Sequence, residues 1–286
     1  MLYLFGIMLP LISQYRWIDN VFAWKLRSMR PLGGKYEKAF GYRLRLREKN
    51  KLDAYLPEGK ELPIIVYFHG GGLEGGDKGD ENFREIGESF ADGGYGFVSV
   101  NYRLYGDGAA FPDYITDCAK AIAYIRQNIS RFSGNGQIFV SGQSAGAWIA
   151  LMLCLNPRYL KDLGISPQEI SGWIIDSAQT TSHFNVIKRE RGDNPLLQRI
   201  DEYAPLYYVD NNTRFTRMLM MFYREDMPCR PEQNRLFVSA VSAFNQNADI
   251  RFLELPGEHC HGSSVKDSDG QYPFVKEALK WLKGDS

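Results

Sequence analysis

The chain has 286 residues, of which 44% are hydrophobic, and this is enough for a complete hydrophobic core. Its formal net charge is zero and it contains no long run of lysine or arginine, so its composition disfavours binding to nucleic acid or to an anionic membrane. We therefore expect one domain over residues 1–286.

The cysteines and the first residues bear on where the protein is located. The four cysteines are far apart and form no C-x-x-C pair, which disfavours a zinc site and a disulfide framework and favours a reducing, cytoplasmic location. The opening MLYLFGIMLPLIS lacks a preceding basic residue and a small-x-small cleavage site, and it is shorter than the ~20 apolar residues of a membrane span. We predict that about residues 1–35 form an apolar, helical arm packed on the protein, with a membrane-surface role as the alternative and no stable membrane span.

Strand and helix signals alternate along the rest of the chain. KAFGYRLRLRE and KLDAYLP predict an antiparallel hairpin at one edge of a sheet. Apolar runs typical of strands buried on both faces follow as PIIVYF (63–68), GFVSVNY (96–102), QIFVSG (137–142), SGWIID (171–176), MLMMFY (218–223) and IRFLEL (250–255). Apolar residues at Ile115, Cys118, Ile122, Ile125 and Ile129 predict an intervening helix. The pattern predicts an α/β fold with a mostly parallel sheet covered by helices on both faces.

One stretch interrupts this alternation. Residues from about 179 to 212 are polar, charged and aromatic, and they are long for a connection inside a compact domain. We predict a small cap-like insertion there.

The sequence VSGQSAG places a serine at the centre of Gly142-Gln143-Ser144-Ala145-Gly146. It follows an apolar run, and the apolar stretch AWIALMLCL after it predicts a helix. Flanking glycines allow a sharp strand-to-helix turn that exposes the serine above the end of a sheet. A serine needs a base, an acid that orients the base, and donors for an oxyanion before it acts as a nucleophile. Ser144 is therefore a candidate nucleophile.

A second motif, His69-Gly70-Gly71-Gly72, directly follows the run IIVYF. It has neither the G-x-G-x-x-G spacing nor the Lys-Ser/Thr pair of phosphate-binding loops. Glycines leave their backbone N–H groups uncovered, so a carbonyl oxygen can approach them closely. We predict an oxyanion hole formed by the N–H groups of Gly70, Gly71 and Ala145.

With both motifs in place, the chain resembles the α/β-hydrolase family, in particular its esterase and lipase branches with an HGGG loop. YFHGGGLEGGDK (67–78), VNYRL (100–104), GQSAGA (142–147) and a histidine-containing loop before the last helix occur in the family's order, over about residues 40–286. The combination of HGGG and G-x-S-A-G is far more specific than either motif alone. The resemblance implies the α/β-hydrolase fold and the chain order serine, acid, histidine.

The resemblance implies that the acid is an aspartate in the turn after the strand two steps beyond the nucleophile strand. MLMMFYREDMP supplies Asp226 at that place. Many relatives have Asp-Pro there, whereas this chain has Asp-Met-Pro, so an offset of one residue is possible. Asp176, which ends the run SGWIID, is the rival acid.

The base has to come from four histidines. The resemblance makes His69 a structural residue that braces the glycine turn. His183 lies in the cap-like segment, where we expect a solvated loop histidine, with a place in the pocket wall as the alternative. His259 and His261 both follow the last strand. The family's His-Gly pattern favours His261 and its shorter spacing from the acid favours His259, so both stay candidates with a preference for His261.

These expectations describe a serine hydrolase that cleaves carboxylic esters through an acyl-enzyme on Ser144. Short acyl groups such as acetyl are preferred because the cap segment is small. The expected partner is a small-molecule ester, no metal or organic cofactor is required, and the sequence leaves the oligomeric state open. The alternatives are an amide-cleaving relative, such as an arylformamidase or an aminopeptidase, and a non-catalytic binding protein on the same fold.

Overall fold

The structure is a computed structural model that describes residues 37–41, 50–59, 61–245 and 249–284, with only the backbone described for 37–41. The arm predicted for residues 1–35 lies outside the described residues. Within them, no helix combines the length and the apolar character needed to cross a bilayer.

The described residues form an eight-stranded sheet of strand order β1-β2-β4-β3-β5-β6-β7-β8. The strands are β1 (Glu37–Gly41), β2 (Lys51–Tyr55), β3 (Leu62–Phe68), β4 (Gly96–Val100), β5 (Gly134–Gln143), β6 (Gly172–Asp176), β7 (Met218–Tyr223) and β8 (Ile250–Leu255). β1 and β2 form the predicted antiparallel hairpin at one edge, and β2 pairs with β4 in the antiparallel sense. The remaining pairs are parallel, which confirms the mostly parallel sheet.

Helices follow most of the strands, as the alternation predicted. They are α1 (Glu81–Asp92), α2 (Asp113–Gln127), α3 (Ala145–Leu155), α4 (Arg158–Lys161), α5 (Phe184–Glu190), α6 (Arg230–Phe244), α7 (His261–Ser264) and α8 (Pro273–Lys283). α3 is buried along its whole length, as expected of a helix that packs centrally on a sheet.

The sheet separates two apolar layers. Along β3, Ile64, Val66 and Phe68 face the layer that includes α2 and α3, whereas Ile65 and Tyr67 face the layer that includes α1 and α8. This two-sided burial is the reason that the strands read as continuous apolar runs and not as alternating ones. The fold class predicted from the sequence, an α/β-hydrolase fold with helices on both faces, is confirmed.

Residues 179–212, predicted as a cap-like insertion, connect β6 to β7. They contain α5 and a short 3-10 turn, Pro205–Tyr208. The first residues of the 179–212 segment are buried, whereas Leu196, Leu197 and Ile200 are exposed. Whether this segment acts as a cap stays a prediction.

The strand order decides which loops meet. The glycine loop follows β3 and the Ser144 turn follows β5, and these two strands are neighbours. Asp176 ends β6, Asp226 follows β7, and His259 follows β8. A side chain from the β8 loop therefore has to reach across three strand spacings, about 14 Å, to meet a group at the end of β5.

Candidate active site

Ser144 sits on a strained turn between β5 and α3. Its backbone angles are φ 54° and ψ −114°, outside the regions that a serine normally occupies. Its N–H donates to the Asp176 carbonyl oxygen at 2.8 Å, which attaches the turn to the neighbouring strand. The structure therefore has the sharp strand-to-helix turn expected from the glycine spacing.

The two flanking glycines are required by close backbone contacts. A Cβ atom at Gly146 would lie 2.1 Å from the Phe68 carbonyl oxygen, and one at Gly142 would lie 2.4 Å from the Gly146 carbonyl group. Real Cβ atoms do not approach so closely, so any other residue would push α3 away from β3 and β5. The position of Ser144 at the end of the sheet and the tight helix packing thus have the same cause.

His259 lies between Ser144 and Asp226. Its Nε2 is 2.8 Å from the Ser144 Oγ, and its Nδ1 is 2.7 Å from the Asp226 Oδ1. The Asp226 carboxylate is fully buried, whereas 24% of the His259 side chain is exposed. A neutral imidazole that donates from Nδ1 to the carboxylate accepts at Nε2, which is the state in which a base can receive a proton.

The loops of Asp226 and His259 are joined to each other just before these residues. The Glu225 carboxylate accepts the Gly257 N–H at 2.5 Å, and the Glu225 N–H donates to the Gly257 carbonyl at 3.1 Å. Glu225 is therefore directed to the loop backbone and Asp226 to the imidazole. The extra residue in Asp-Met-Pro does not move Asp226 away from His259.

The structure brings the ring of His259, and not that of the preferred His261, to Ser144. His261 begins α7, and its ring packs against Gly257, with its centre 6.4 Å from that of Tyr223. Cys260, between the two histidines, has a positive φ of 61°, which turns the chain so that only the His259 ring points to Ser144. The His-Gly pattern does not predict this, because the direction of the ring depends on a local turn.

Asp176, the rival acid, does not contact His259. It is fully buried, and its carboxylate accepts hydrogen bonds from Ser177 and Ser263. Burial raises its pKa to about 6, and this is opposed by its hydrogen bonds and by the attraction of His259. The carboxylate on the imidazole is thus Asp226, one strand further along the sheet.

The HGGG loop lies directly over the Ser144 turn. A Cβ atom at Gly70 would be 2.8 Å from the Gln143 side chain and 3.3 Å from the Ser144 Cβ. Within the described part of the chain, the N–H groups of Gly70, Gly71 and Ala145 donate no backbone hydrogen bond. Unused donors beside a serine hydroxyl match the requirement for binding a developing negative charge.

His69 braces this loop as the sequence predicted. The ring is 1% exposed and stacks on Tyr102 with 4.4 Å between ring centres, and its Nδ1 lies 2.7 Å from the Gly70 carbonyl oxygen. The Tyr102 hydroxyl donates to the His69 carbonyl at 2.7 Å.

A second support for the glycine loop comes from α5 and was missed in the sequence. Asn185 is 3% exposed, and its Nδ2 donates to the Gly72 carbonyl oxygen at 2.6 Å. Arg189, one turn further along α5, pairs with Glu74 at the other end of the loop. No local sequence pattern predicts this contact, because Asn185 and Gly72 are 113 positions apart in the chain.

The expectation of a solvated His183 is wrong. The side chain is buried, its Nδ1 accepts the Asn185 N–H at 3.2 Å, and its ring stacks on Phe184 with 4.5 Å between ring centres. Burial holds its pKa well below the ordinary value, and the positive charges of Arg230 and His259 act in the same direction. His183 is therefore a neutral ring that caps α5, because the insertion folds back onto the sheet.

Arg230 is a buried cation close to the same centre. Its guanidinium donates to the Ser177 carbonyl at 3.1 Å and to the Gln179 side chain at 3.3 Å. Burial lowers its pKa, and the attraction of Asp226 opposes this. The sequence signal for this residue was weak, since an arginine at the start of a helix is usually exposed.

No group of three or more His, Cys, Asp or Glu side chains in the described ranges is arranged to hold a metal ion. All four cysteines lie in these ranges and are free thiols, with Cys229 exposed and the other three buried.

Comparison with known proteins gives a consistent picture. Residues 52–162 match the BD-FAE family, a stretch that contains the glycine loop and the Ser144 turn but neither Asp226 nor His259. Isoprenylcysteine alpha-carbonyl methylesterase ICME from Arabidopsis thaliana is 29% identical over 155 residues, which are 50% of this chain and 36% of that protein. Esterase LipC from Mycobacterium tuberculosis is 25% identical over 228 residues, 73% of this chain and 55% of LipC. The chain thus spans less than two thirds of the length of these curated relatives.

Solved structures extend the similarity to nearly the whole chain. The apo form of Thermogutta terrifontis esterase 2 superposes with a TM-score of 0.69 at 22% identity, covering 91% of this chain and 97% of that one. A propionate-bound structure of an esterase from the same species has a TM-score of 0.66 at 21% identity and covers 83% of this chain and 90% of that one. These matches show that the chain has the α/β-hydrolase fold and that residues 52–162 are similar to the BD-FAE family. The relatives and solved structures named here are proteins named as esterases.

Proposed function

We propose that this chain is a serine carboxylesterase in which Ser144 is the nucleophile, His259 the base and Asp226 the orienting acid. The observation that carries the proposal is the continuous hydrogen-bonded chain from the Ser144 Oγ through both ring nitrogens of His259 to the Asp226 carboxylate. Nucleophile, base and orienting acid within hydrogen-bond reach of one another are the arrangement that activates a serine hydroxyl.

In the proposed reaction, the Ser144 Oγ attacks the ester carbonyl carbon while His259 Nε2 takes the hydroxyl proton. Asp226 holds Nδ1 protonated and stabilises the imidazolium. The imidazolium then gives its proton to the leaving alcohol as the carbon–oxygen bond breaks, which leaves an acyl group on Ser144. Water, deprotonated by the same His259, releases the acid and restores the serine.

The negative charge of each tetrahedral intermediate would be held by the N–H groups of Gly70, Gly71 and Ala145. Their lack of backbone acceptors within the described ranges and the closeness of Gly70 and Ala145 to Ser144 support this role. A single donor of this kind is typically worth about 3 kcal/mol of barrier. No metal or organic cofactor takes part in the proposed reaction.

We further propose that the substrates are small-molecule esters of short acyl groups. The cap-like segment contains one seven-residue helix, which supports a site with little covering structure. Structures of the Thermogutta esterase titled as propionate-bound and butyrate-bound are consistent with short acyl groups on a similar fold. The cytoplasmic location stays a prediction from the cysteine pattern.

The test uses wild type, Ser144→Ala, His259→Ala and His261→Ala with a fluorophosphonate probe and p-nitrophenyl esters from acetate to decanoate. We expect Ser144→Ala to lose labelling, and His259→Ala to lose about 10³-fold or more in kcat. His261→Ala, the matched control from the same loop, should keep kcat within about threefold because its ring contacts neither Ser144 nor Asp226. Labelling of Ser144→Ala, or a larger loss in His261→Ala than in His259→Ala, would overturn the assignment.

Amide cleavage is the second candidate, because kynurenine formamidase avaC from Aspergillus versicolor is 31% identical over 105 residues. Assaying an N-formyl aryl amide beside the matching ester separates the two activities, and we expect the ester to have the higher kcat/KM. A non-catalytic binding role is disfavoured because the proposed nucleophile, base and acid are all present and in contact.

A further inference from the structure

One buried carboxylate joins the Ser144 turn to the loop that carries His259. Asp176 ends β6 and is fully buried, and its backbone carbonyl accepts the Ser144 N–H. Its side chain takes no part in the reaction proposed above. It is nevertheless the acceptor for several hydroxyl groups around the site.

Three hydroxyl groups from different parts of the chain lie around the Asp176 carboxylate. The Ser263 Oγ of α7 donates to Oδ2, the Ser177 Oγ after β6 donates to Oδ1 at 3.3 Å, and the Tyr223 hydroxyl of β7 lies near the same carboxylate. Carboxylate oxygens have about four lone-pair sites, so one carboxylate can accept all three.

Each of these hydroxyl oxygens also accepts an N–H group from the segments that carry His259 or Ser144. The pairs are Ser177 with the Cys260 N–H at 3.0 Å, Tyr223 with the Gly262 N–H at 2.9 Å, and Ser263 with the Gln143 Nε2 at 2.6 Å. A hydroxyl has one proton, so a hydroxyl that accepts at its oxygen keeps that proton for another acceptor. Asp176 is that acceptor for Ser177 and Ser263, and it lies near the Tyr223 hydroxyl.

Two of these N–H donors belong to residues directly beside the proposed base and nucleophile. Cys260 directly follows His259, and Gln143 directly precedes Ser144. The hydroxyl groups of Ser177 and Ser263 therefore attach Cys260 and Gln143, which adjoin His259 and Ser144, to the Asp176 carboxylate. An amide in place of the carboxylate would offer one accepting oxygen and one donating nitrogen, so at least one hydroxyl would face a donor.

We propose that Asp176 is a positioning residue that, through Ser177 and Ser263, fixes the His259 loop against the Ser144 turn. The proposal rests on the function proposed above, since it concerns the same base and nucleophile.

The charge state of Asp176 gives this arrangement a pH dependence. Burial raises its pKa to about 6, so it takes up a proton in mildly acidic solution. The other titratable groups that face it are His259, Tyr67 of β3, Tyr223 and Cys260, and burial raises the pKa of the last three and keeps them neutral. A protonated Asp176 would compete with the hydroxyls as a donor. Activity should therefore require the loss of a proton from Asp176 as well as from the base.

The experiment compares Asp176→Asn with wild type and with Asp117→Asn. Asp117 is a second buried aspartate, but it pairs with Arg103 at 2.6 Å. We expect Asp176→Asn to lower kcat for p-nitrophenyl acetate about 100-fold with KM within about threefold, because a small misplacement of a base has a cost of that order. Asp117→Asn should leave kcat within about twofold even where it lowers the melting temperature.

Two further measurements separate positioning from a loss of stability. On the acidic side, log(kcat/KM) should fall more steeply with decreasing pH in wild type and Asp117→Asn than in Asp176→Asn, which lacks the titration of Asp176. The ring signals of His259 in ¹³C-histidine NMR spectra, assigned with His259→Ala, should move in Asp176→Asn and not in Asp117→Asn. Unchanged His259 signals in a folded Asp176→Asn protein would overturn the proposal. These signals decide it even if wild type cleaves no ester and does not react with a fluorophosphonate, in which case it is the proposed function that fails.

Discussion

The turn at Ser144 leaves no room for a side chain at Gly142 or Gly146. Both glycines lie against backbone atoms, which cannot move aside as the end of a flexible side chain can. A substitution at either glycine is therefore expected to disturb the packing of α3 and to lower the stability of the protein before it affects catalysis.

Gly146→Ala should lower the free energy of unfolding by about 3 kcal/mol, because the new methyl group collides with the Phe68 carbonyl. Urea denaturation followed by circular dichroism measures this. Gly106→Ala is the control, since a Cβ atom at Gly106 would meet nothing within 4 Å and its backbone does not require glycine. An equal loss in both variants would contradict the explanation.

α5 connects the segment between β6 and β7 to the glycine loop. Its buried face provides Asn185 to the Gly72 carbonyl, and its exposed face provides Arg189 to Glu74 and Glu190 to the Tyr105 hydroxyl. The buried contact is shielded from water and the exposed ones are not. We therefore expect the buried contact to contribute most to the shape of the loop.

Asn185→Ala should lower kcat for p-nitrophenyl acetate about tenfold and stability by about 1–2 kcal/mol, because the buried Gly72 carbonyl loses its donor. Steady-state kinetics and thermal unfolding give the two values. Arg189→Ala, from the exposed face of the same helix, should change stability by less than about 1 kcal/mol and leave kcat nearly unchanged. If Arg189→Ala had the larger effect on kcat, the exposed face would be the one that positions the loop.

The folded protein buries a histidine, His183, whose pKa burial holds well below its ordinary value. The lowered pKa of His183 means that the folded state stays neutral there, whereas the unfolded chain binds a proton below the ordinary value of 6.5. The stability from this difference is fully present above pH 6.5 and is lost as the pH falls. His183 thus makes a folded protein less stable in acid.

Between pH 6.5 and the lowered value, this single group should reduce the free energy of unfolding by about 1.4 kcal/mol per pH unit. His183→Asn keeps a side-chain acceptor for the Asn185 N–H and removes the titration, so its stability should fall less steeply with acid. Urea unfolding at pH 7.5, 6.0 and 5.0 measures both slopes, and His261→Asn is the control. Parallel curves for wild type and His183→Asn would refute the prediction.

Much of the fold could be predicted because its signals are local. The runs MLMMFY and IRFLEL coincide with β7 and β8, and the predicted stripe lies within α2 from Ile115 to Ile125, whereas its last residue, Ile129, begins a short 3-10 turn after the helix. The Ser144 turn and the HGGG loop could also be predicted, because close backbone contacts require glycines at fixed spacing in both segments. The burial of His183 could not be predicted, because the polar sequence around it does not show which surface of the protein the segment packs against.

The sequence alone determined the strands, the helices, the turn that exposes Ser144 and the set of candidate side chains, because each depends on residues within a few positions of one another. Tertiary structure alone decided that His259 and not His261 meets Ser144, and that Asp226 and not Asp176 meets His259. It also decided that Asn185 holds the glycine loop. These outcomes depend on strand order and on one positive φ at Cys260. Strand order arises from contacts between distant parts of the chain, which no local pattern records, and the His-Gly pattern does not show the turn at Cys260.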